Sequence, residues 1–159
     1  MLLTGCGANF SELKSKGYQK VNSFPLALKI PCILEQDTFY QNPYGKYYKY
    51  SCWKNELNFV FKVNVHTLPR YRDASRKSKI EWTARALRFY NIEHPDISID
   101  SKYPGIIYYL DTNSFKNELS RSEVLFVDDT ATYNILIPGD KEQTMKELES
   151  IVQSAIILD

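Results

Sequence analysis

The sequence predicts an α+β fold, in which a mostly antiparallel sheet of about six strands is covered by two helices. Segments with a two-residue hydrophobic period come in two groups, and short turn-like stretches separate their members. Aromatic residues make up 14% of the 159 residues, and twelve of them are Tyr, which is typical of sheets. One helical pattern separates the two groups and another follows the last strand, an order that favours a sheet with helices packed on it.

The first group of strands is predicted between residues 25 and 65. Apolar residues at alternate positions predict a strand over 25–34, aromatic residues predict a second over 46–53, and the clean alternation over 57–65 predicts a third. Because short connections join them, these three strands are expected to form a meander.

The hydrophobic period changes after Pro69. Apolar residues at intervals of four, three and three from Ile80 predict a helix over about 73–92. This helix should end before Pro95, since proline disfavours helical geometry in the residue that precedes it. Alternating apolar residues then predict three more strands, at 105–110, 123–128 and 132–137.

A final amphipathic helix is predicted after Gly139. Asp140 is suited to cap its first turn, and Gln143 three residues later completes a pattern like the capping box. The residues expected on its buried side are Met145, Leu148, Ile151, Val152 and Ala155. Such a helix is expected to pack on the sheet.

The N-terminus contains the sharpest motif in the chain. Leu3-Thr4-Gly5-Cys6 resembles the bacterial lipobox, in which small residues let a signal peptidase reach the bond before a cysteine that carries diacylglycerol. The basic and apolar regions expected upstream are not seen, so either the reading frame starts late or the match is accidental and Cys6 is a free thiol. We expect lipidation at Cys6, with residues 1–22 as lipobox and flexible tether and residues 23–159 as one domain.

Two cysteines remain, Cys32 and Cys52, and an even number is compatible with a disulfide in an oxidising compartment. Their midpoint is (32 + 52)/2 = 42, which falls on Asn42 in a turn-like run. A hairpin closed there would bring the two cysteines together. The alternative is a pair of reduced, buried thiols in a cytosolic protein.

The layout of strands followed by a C-terminal helix resembles the PsbP-like fold of several exported and lipid-anchored proteins. The segments Ile30-Pro31-Cys32 and Tyr50-Ser51-Cys52-Trp53 are similar to the cysteine-bearing strands of the GldD gliding-motility lipoproteins. The resemblance spans roughly residues 24–157, mostly as hydrophobic pattern. It implies an envelope-anchored accessory subunit of a larger machine, with no catalytic residue to carry over.

Catalytic and metal-binding patterns are weak in this sequence. His66 has no ligand type near it, and the acids beside His94 do not match a metal-site spacing. The pair Asp128-Asp129 could hold a cation with Asp111, but acids in a turn are more often solvated. We therefore expect no enzyme activity, no metal and no cofactor.

Two features are candidates for partner binding. Aromatic residues crowd the segment 39–53, and adjacent Tyr47 and Tyr48 must point to opposite faces of a strand. A run of basic side chains follows at 70–79. These side chains either contact an anionic partner or are simply solvated. The residues that we expect to contact a partner are Tyr40, Tyr44, Tyr47, Tyr48, Arg70 and Arg72. A tyrosine-rich hairpin packed beneath a helix would explain the aromatics equally well.

These features together predict a binding or assembly module of the bacterial cell envelope. It would be held to the membrane by lipid, face the periplasm and contact other envelope proteins. A formal net charge of +1 gives no general attraction to nucleic acid. The rivals are a soluble hydrolase or ligand carrier, with His66 or Asp128-Asp129 lining a pocket between sheet and helices, and a cytosolic adaptor with reduced cysteines.

Overall fold

The computed structural model describes residues 9–21, 24–89, 96–100, 103–111, 119–127 and 131–158. Its helices are α1 (Phe10–Ser15), α2 (Pro69–Arg72), α3 (Arg76–Phe89) and α4 (Lys141–Ser154). Its strands are β1 (Leu26–Ala27), β2 (Glu35–Asn42), β3 (Gly45–Lys54), β4 (Leu57–His66), β5 (Asp96–Asp100), β6 (Tyr103–Leu110), β7 (Arg121–Val127), β8 (Ala131–Pro138) and β9 (Ile156–Ile157).

Seven strands form one antiparallel sheet in the order β2-β3-β4-β8-β7-β6-β5. The short strands β1 and β9 pair separately, also antiparallel. The predicted α+β class and antiparallel sheet are therefore confirmed. The sheet has seven strands where about six were expected. Its first strand is β2 and not the predicted strand over 25–34.

One face of the sheet, here called the covered face, carries the main hydrophobic core. Alternate residues of β4 and β8 point into it, including Phe61 and Tyr133, whose rings stack at 6.2 Å. Helix α4 packs on β7 and β8, and the segment containing β1 adds further apolar side chains. The predicted buried stripe of α4 is confirmed, since Leu148, Ile151 and Val152 are all buried.

Helix α3 packs on β6 and β7 on the opposite side of the sheet. There Ile106 and Tyr108 of β6 are buried against Ile80 and Ala84 of the helix, whereas Ile107 belongs to the core of the covered face. The two long helices therefore lie on opposite faces. This arrangement divides the second face into a part beneath α3 and a part on the β2–β4 side.

The predicted strand over 25–34 is wrong for most of its length. Only Leu26–Ala27 forms a strand, and it pairs with β9 instead of joining a meander. The strand beside β3 is β2, at the edge of the sheet, which the sequence did not predict. All residues of β2 except the last are exposed, so the hydrophobic alternation that identifies a half-buried strand is absent there.

The predicted helix over 73–92 corresponds to α3, which begins at Arg76, and the short helix α2 precedes it. Pro69 occupies the first turn of α2, and a new helix begins after Ser75, whose Oγ accepts a hydrogen bond from the N–H of Ser78 at 3.1 Å. The strands predicted at 105–110, 123–128 and 132–137 are confirmed as β6, β7 and β8, whereas β5 was not predicted. The expected stop at Pro95 and the turn at 128–130 lie outside the described residues.

The predicted cap of α4 is also confirmed. Asp140 Oδ1 accepts hydrogen bonds from the backbone N–H groups of Glu142 at 3.0 Å and of Gln143 at 3.4 Å. Thr144 lies fully buried one turn into the helix, and its hydroxyl is 2.7 Å from that of Ser122 on β7. This polar contact fixes the first turn of α4 against the sheet.

Residues 9–21, which the sequence assigns to the tether, form α1 and a link to the domain. The Gln19 side chain donates to the carbonyls of Ile30 at 3.2 Å and Cys32 at 2.6 Å, and accepts from the N–H of Leu34 at 2.9 Å. Val21 is buried in the main core. The sequence did not predict that this segment contacts the domain, because one long polar side chain, that of Gln19, makes most of these contacts.

Cys32 and Cys52 form a disulfide, with their Cα atoms 5.8 Å apart. The bond joins the segment before β2 to β3, and the β2–β3 hairpin turns between Asn42 and Gly45 as predicted. Gly45 is required there, because a Cβ atom would lie only 2.5 Å from the carbonyl oxygen of Val65.

Candidate functional site

The side chains of β2, β3 and β4 that point away from the covered face form a surface called here the open face. Its members alternate with core residues, as Lys62 and Asn64 do with the buried Phe61 and Val63. They enclose a shallow depression of about 220 Å³. The open-face residues are Thr38, Tyr40, Tyr47, Lys49, Lys62 and Asn64.

A stacked tyrosine pair forms one wall of this depression. Tyr40 and Tyr47 are cross-strand partners, and their ring centroids are 4.5 Å apart with an angle of 15° between the planes. Tyr40 nevertheless remains 54% exposed. The pair is preorganised, so these rings can contact a partner with little loss of side-chain entropy.

Two lysines stand directly opposite each other on the same surface. Lys49 of β3 is in register with Lys62 of β4, an arrangement in which like charges repel. Asp37 pairs with Lys49, with 2.8 Å between carboxylate oxygen and Nζ. The remaining positive charge favours an approaching group that is anionic or rich in acceptors.

The open face continues into a groove beneath α2 and the start of α3. Asn64 borders both the depression and this groove of about 370 Å³. Tyr71 connects the β4 side of the groove to the α3 side, since its ring lies 6.1 Å from that of His66 and 6.0 Å from that of Trp82. Tyr71 and Trp82 are 44% and 40% exposed. A continuous aromatic and polar surface therefore runs from the hairpin to α3.

Two basic side chains give the groove its electrostatics. Lys79 is buried, and its Nζ donates to the backbone carbonyl of Arg72 at 3.3 Å. His66 Nε2 lies 2.7 Å from the hydroxyl of Thr132. Burial of the imidazole, and secondly the nearby charge of Lys79, lower the pKa of His66 below 6.5. His66 is therefore neutral in this groove at neutral pH.

This lowered pKa makes the stability contribution of His66 depend on pH. The unfolded chain binds a proton at His66 near pH 6.5, whereas the folded chain resists it, so acidification below that value favours unfolding. The contribution is complete above pH 6.5 and is lost as the pH falls toward the folded-state pKa. Denaturation of the wild type and of His66→Gln at pH 7.5 and 5.5 should show a smaller loss of stability in the variant. Equal losses in the two proteins would contradict this.

The structure brings only some of the predicted partner-binding residues together. Tyr40 and Tyr47 share the open face, and Tyr44 lies at the hairpin turn with 61% of its surface exposed. The Tyr48 ring lies on the covered side, 5.6 Å from that of Phe24. The predicted opposite orientation of Tyr47 and Tyr48 is thus confirmed, and the alternative of core packing holds for Tyr48.

Arg70 and Arg72 belong to α2 and are both exposed, on either side of Tyr71. Arg72 pairs with Asp73 at 2.8 Å, and the hydrogen bond between them lowers the pKa of the Asp73 carboxyl. Because Asp73 offsets the charge of Arg72, the net positive charge around α2 is smaller than the basic run at 70–79 suggests. The residue of α2 that enters the groove is Tyr71.

The described lining of the groove includes no carboxylate that could act with His66 as an acid–base pair. Glu123 lies on β7, where its carboxylate accepts hydrogen bonds from Asn134 Nδ2 at 2.7 Å and from Arg121 Nε at 2.9 Å. The residues that the structure describes contain no cluster of metal-ligating side chains and no helix able to span a membrane. Asp111 is exposed, and Cys6, His94 and Asp128-Asp129 lie outside the described residues.

The surface also includes residues that the sequence did not single out as site residues, namely Lys62, Asn64, Tyr71, Trp82 and Thr132, whereas Lys79 belongs to the basic run at 70–79. Trp82 flanks the apolar stripe of its helix, which was the one available signal. Comparison with protein-family models and with curated proteins finds no match for this chain.

Proposed function

We propose that this chain is a binding or assembly accessory module of the bacterial cell envelope, and that the open face and adjoining groove contact an envelope protein. In this proposal lipid on Cys6 holds the domain at the membrane, facing the periplasm. No catalytic step is assigned to it. The resemblance to the GldD lipoproteins supports a role as an accessory subunit.

The observation that carries the proposal is the stacked Tyr40–Tyr47 pair, held in register by the sheet while Tyr40 stays 54% exposed. Large aromatic side chains dominate the energetics of protein interfaces, and rigid ones lose little entropy on binding. Tyr71 and Trp82 extend the same surface. The disulfide supports export, because such bonds persist mainly in oxidising compartments.

Replacing both Tyr40 and Tyr47 by alanine should abolish partner binding while changing the free energy of unfolding by less than about 1 kcal/mol, since the pair lies at the surface. The measurement is the yield of the complex trapped by chemical cross-linking in membranes of the native organism. Ile33→Ala is the matched control, because Ile33 is 79% exposed and lies away from the open face. An unchanged yield of complex from the double variant would overturn the proposal.

A further inference from the structure

The segment over residues 9–34 has a charge balance that the rest of the chain lacks. It contains four lysines and a single carboxylate, that of Glu12. The remaining residues contain 16 basic and 18 acidic side chains, so the excess of positive charge is confined to this segment. Its lysines, called here the basic face, are Lys14, Lys16, Lys20 and Lys29.

Three of these lysines surround one depression of about 520 Å³ beside α1. Lys14 and Lys20 line it, and Lys20 Nζ lies 5.3 Å from the centroid of the Phe10 ring. Lys29 Nζ lies 5.0 Å from the centroid of the Tyr18 ring, which lines the same depression. The fold therefore gathers these charges on one surface.

The charge of the basic face is not neutralised within the part of the chain that the structure describes. None of the four lysines forms an ion pair with a described carboxylate. Glu12 precedes Lys14 by two residues, and side chains two positions apart on a helix do not face each other. The acids that follow, Glu35 and Asp37, line the neighbouring depression beside Trp53. The lysine charges are therefore available to a partner.

An isoleucine projects at the border of the basic face. Ile33 lines the same depression, and 79% of its surface is exposed. Its backbone is held in place, because Cys32 is in the disulfide and the Gln19 side chain bonds the carbonyl of Cys32 and the N–H of Leu34. One exposed isoleucine is ordinary, but apolar and basic side chains together are the combination that binds an anionic lipid interface.

The proposed lipid on Cys6 would bring this surface to the bilayer. Gly7 and Ala8 alone separate Cys6 from Asn9, which caps α1, so the chain between Cys6 and Asn9 spans at most about 11 Å. Residues 9–21 do not lengthen this link, because they are folded onto the domain. A lipid at Cys6 therefore keeps α1 beside the headgroups.

We propose that the basic face lies against the anionic phospholipid headgroups of the membrane. The ammonium groups pair with lipid phosphates, and Ile33 enters the headgroup region. The segment that carries the basic face packs on the covered face of the sheet through Val21 and Ile30. The open face, on the other side of the sheet, is then turned away from the bilayer and toward a protein partner. This orientation rests on the proposed lipid at Cys6, whereas the attraction of the lysines to anionic lipid does not.

The test uses full-length Cys6→Ser protein, which cannot carry the lipid, and vesicle flotation at low ionic strength. We expect saturable binding to vesicles of equal parts phosphatidylglycerol and phosphatidylcholine, and none to phosphatidylcholine alone. High salt should release the protein, because it screens the exposed lysines. Failure to bind the anionic vesicles, or equal binding to both kinds, would overturn the proposal.

Two triple variants of equal net charge locate the contact. Replacing Lys14, Lys20 and Lys29 by glutamine should weaken binding to the anionic vesicles at least about tenfold. The matched control replaces one exposed lysine in each of β3, β4 and α3 by glutamine, namely Lys46, Lys62 and Lys77. Its affinity should stay within about threefold of the Cys6→Ser parent. Equal weakening in the two triple variants would show that net charge alone drives binding and would sink the proposal.

The lipid anchor is tested separately from the basic face. The intact mass of the chain isolated from its native organism reports whether Cys6 carries lipid, whereas the vesicle experiment uses protein without it. Failure of the anchor and failure of the basic face therefore give different results. Loss of vesicle binding counts against the basic face only when the melting temperature shows that the variant is folded.

Discussion

Replacing Cys32 and Cys52 together by alanine is expected to lower the free energy of unfolding by about 3 kcal/mol. The disulfide closes a loop with a sequence separation of 20 residues, and its loss restores conformational entropy to the unfolded chain. Loss of the disulfide also frees the segment before β2 from β3. This weakens the edge of the sheet, where β2 pairs with β3. Urea denaturation of the oxidised wild type and of the double variant measures the difference.

The reductant supplies the internal control for this experiment. Reduced wild-type protein should unfold at nearly the same urea concentration as the double variant, and reductant should leave the variant unchanged. If the reduced and oxidised wild types unfold together, the disulfide does not stabilise the fold.

Leu148→Ala is expected to cost about 3 kcal/mol, because it removes a fully buried side chain and leaves a cavity between α4 and the sheet. The neighbours of Leu148 in the core include Ile151 and Val152 of the same helix, so the space cannot collapse without shifting α4. Thermal and urea denaturation both report this loss.

Glu149→Ala is the matched control, since Glu149 follows Leu148 in the helix but is exposed. Its free energy of unfolding should stay within about 0.5 kcal/mol of the wild type. Equal effects of the two substitutions would show that α4 is not packed as described here.

The sequence predicted those elements whose side chains are sorted between core and solvent. Strand β4 and helix α4 each bury one face, so the periods of two and 3.6 residues are visible in them. Strand β2 buries almost nothing, and its hydrogen bonds to β3 leave no pattern in the side chains. The midpoint of Cys32 and Cys52 at Asn42 indicated a hairpin there and so allowed the disulfide, although the strand that forms the hairpin is β2 and not the predicted strand over 25–34.

The candidate site was predictable only in part. Crowded aromatics identified the hairpin, and alternation showed that Tyr47 and Tyr48 must diverge, but sequence alone could not say which of them enters the core. The groove depends on long-range contacts, since it joins His66 of β4 to Tyr71, Trp82 and Thr132. Thr132 lies 66 residues from His66 in the chain and becomes its neighbour only because β4 pairs with β8, which local patterns do not encode.

Site-directed photo-cross-linking tests the proposed contact surface most directly. A benzoylphenylalanine is placed at position 40 on the open face, or at position 33 as the control, in protein produced in its native organism. We predict a discrete cross-linked envelope protein from position 40 and none from position 33. Cross-linking from position 33 alone, or from neither position while the protein is exported and folded, would contradict the assignment of the open face as the binding surface.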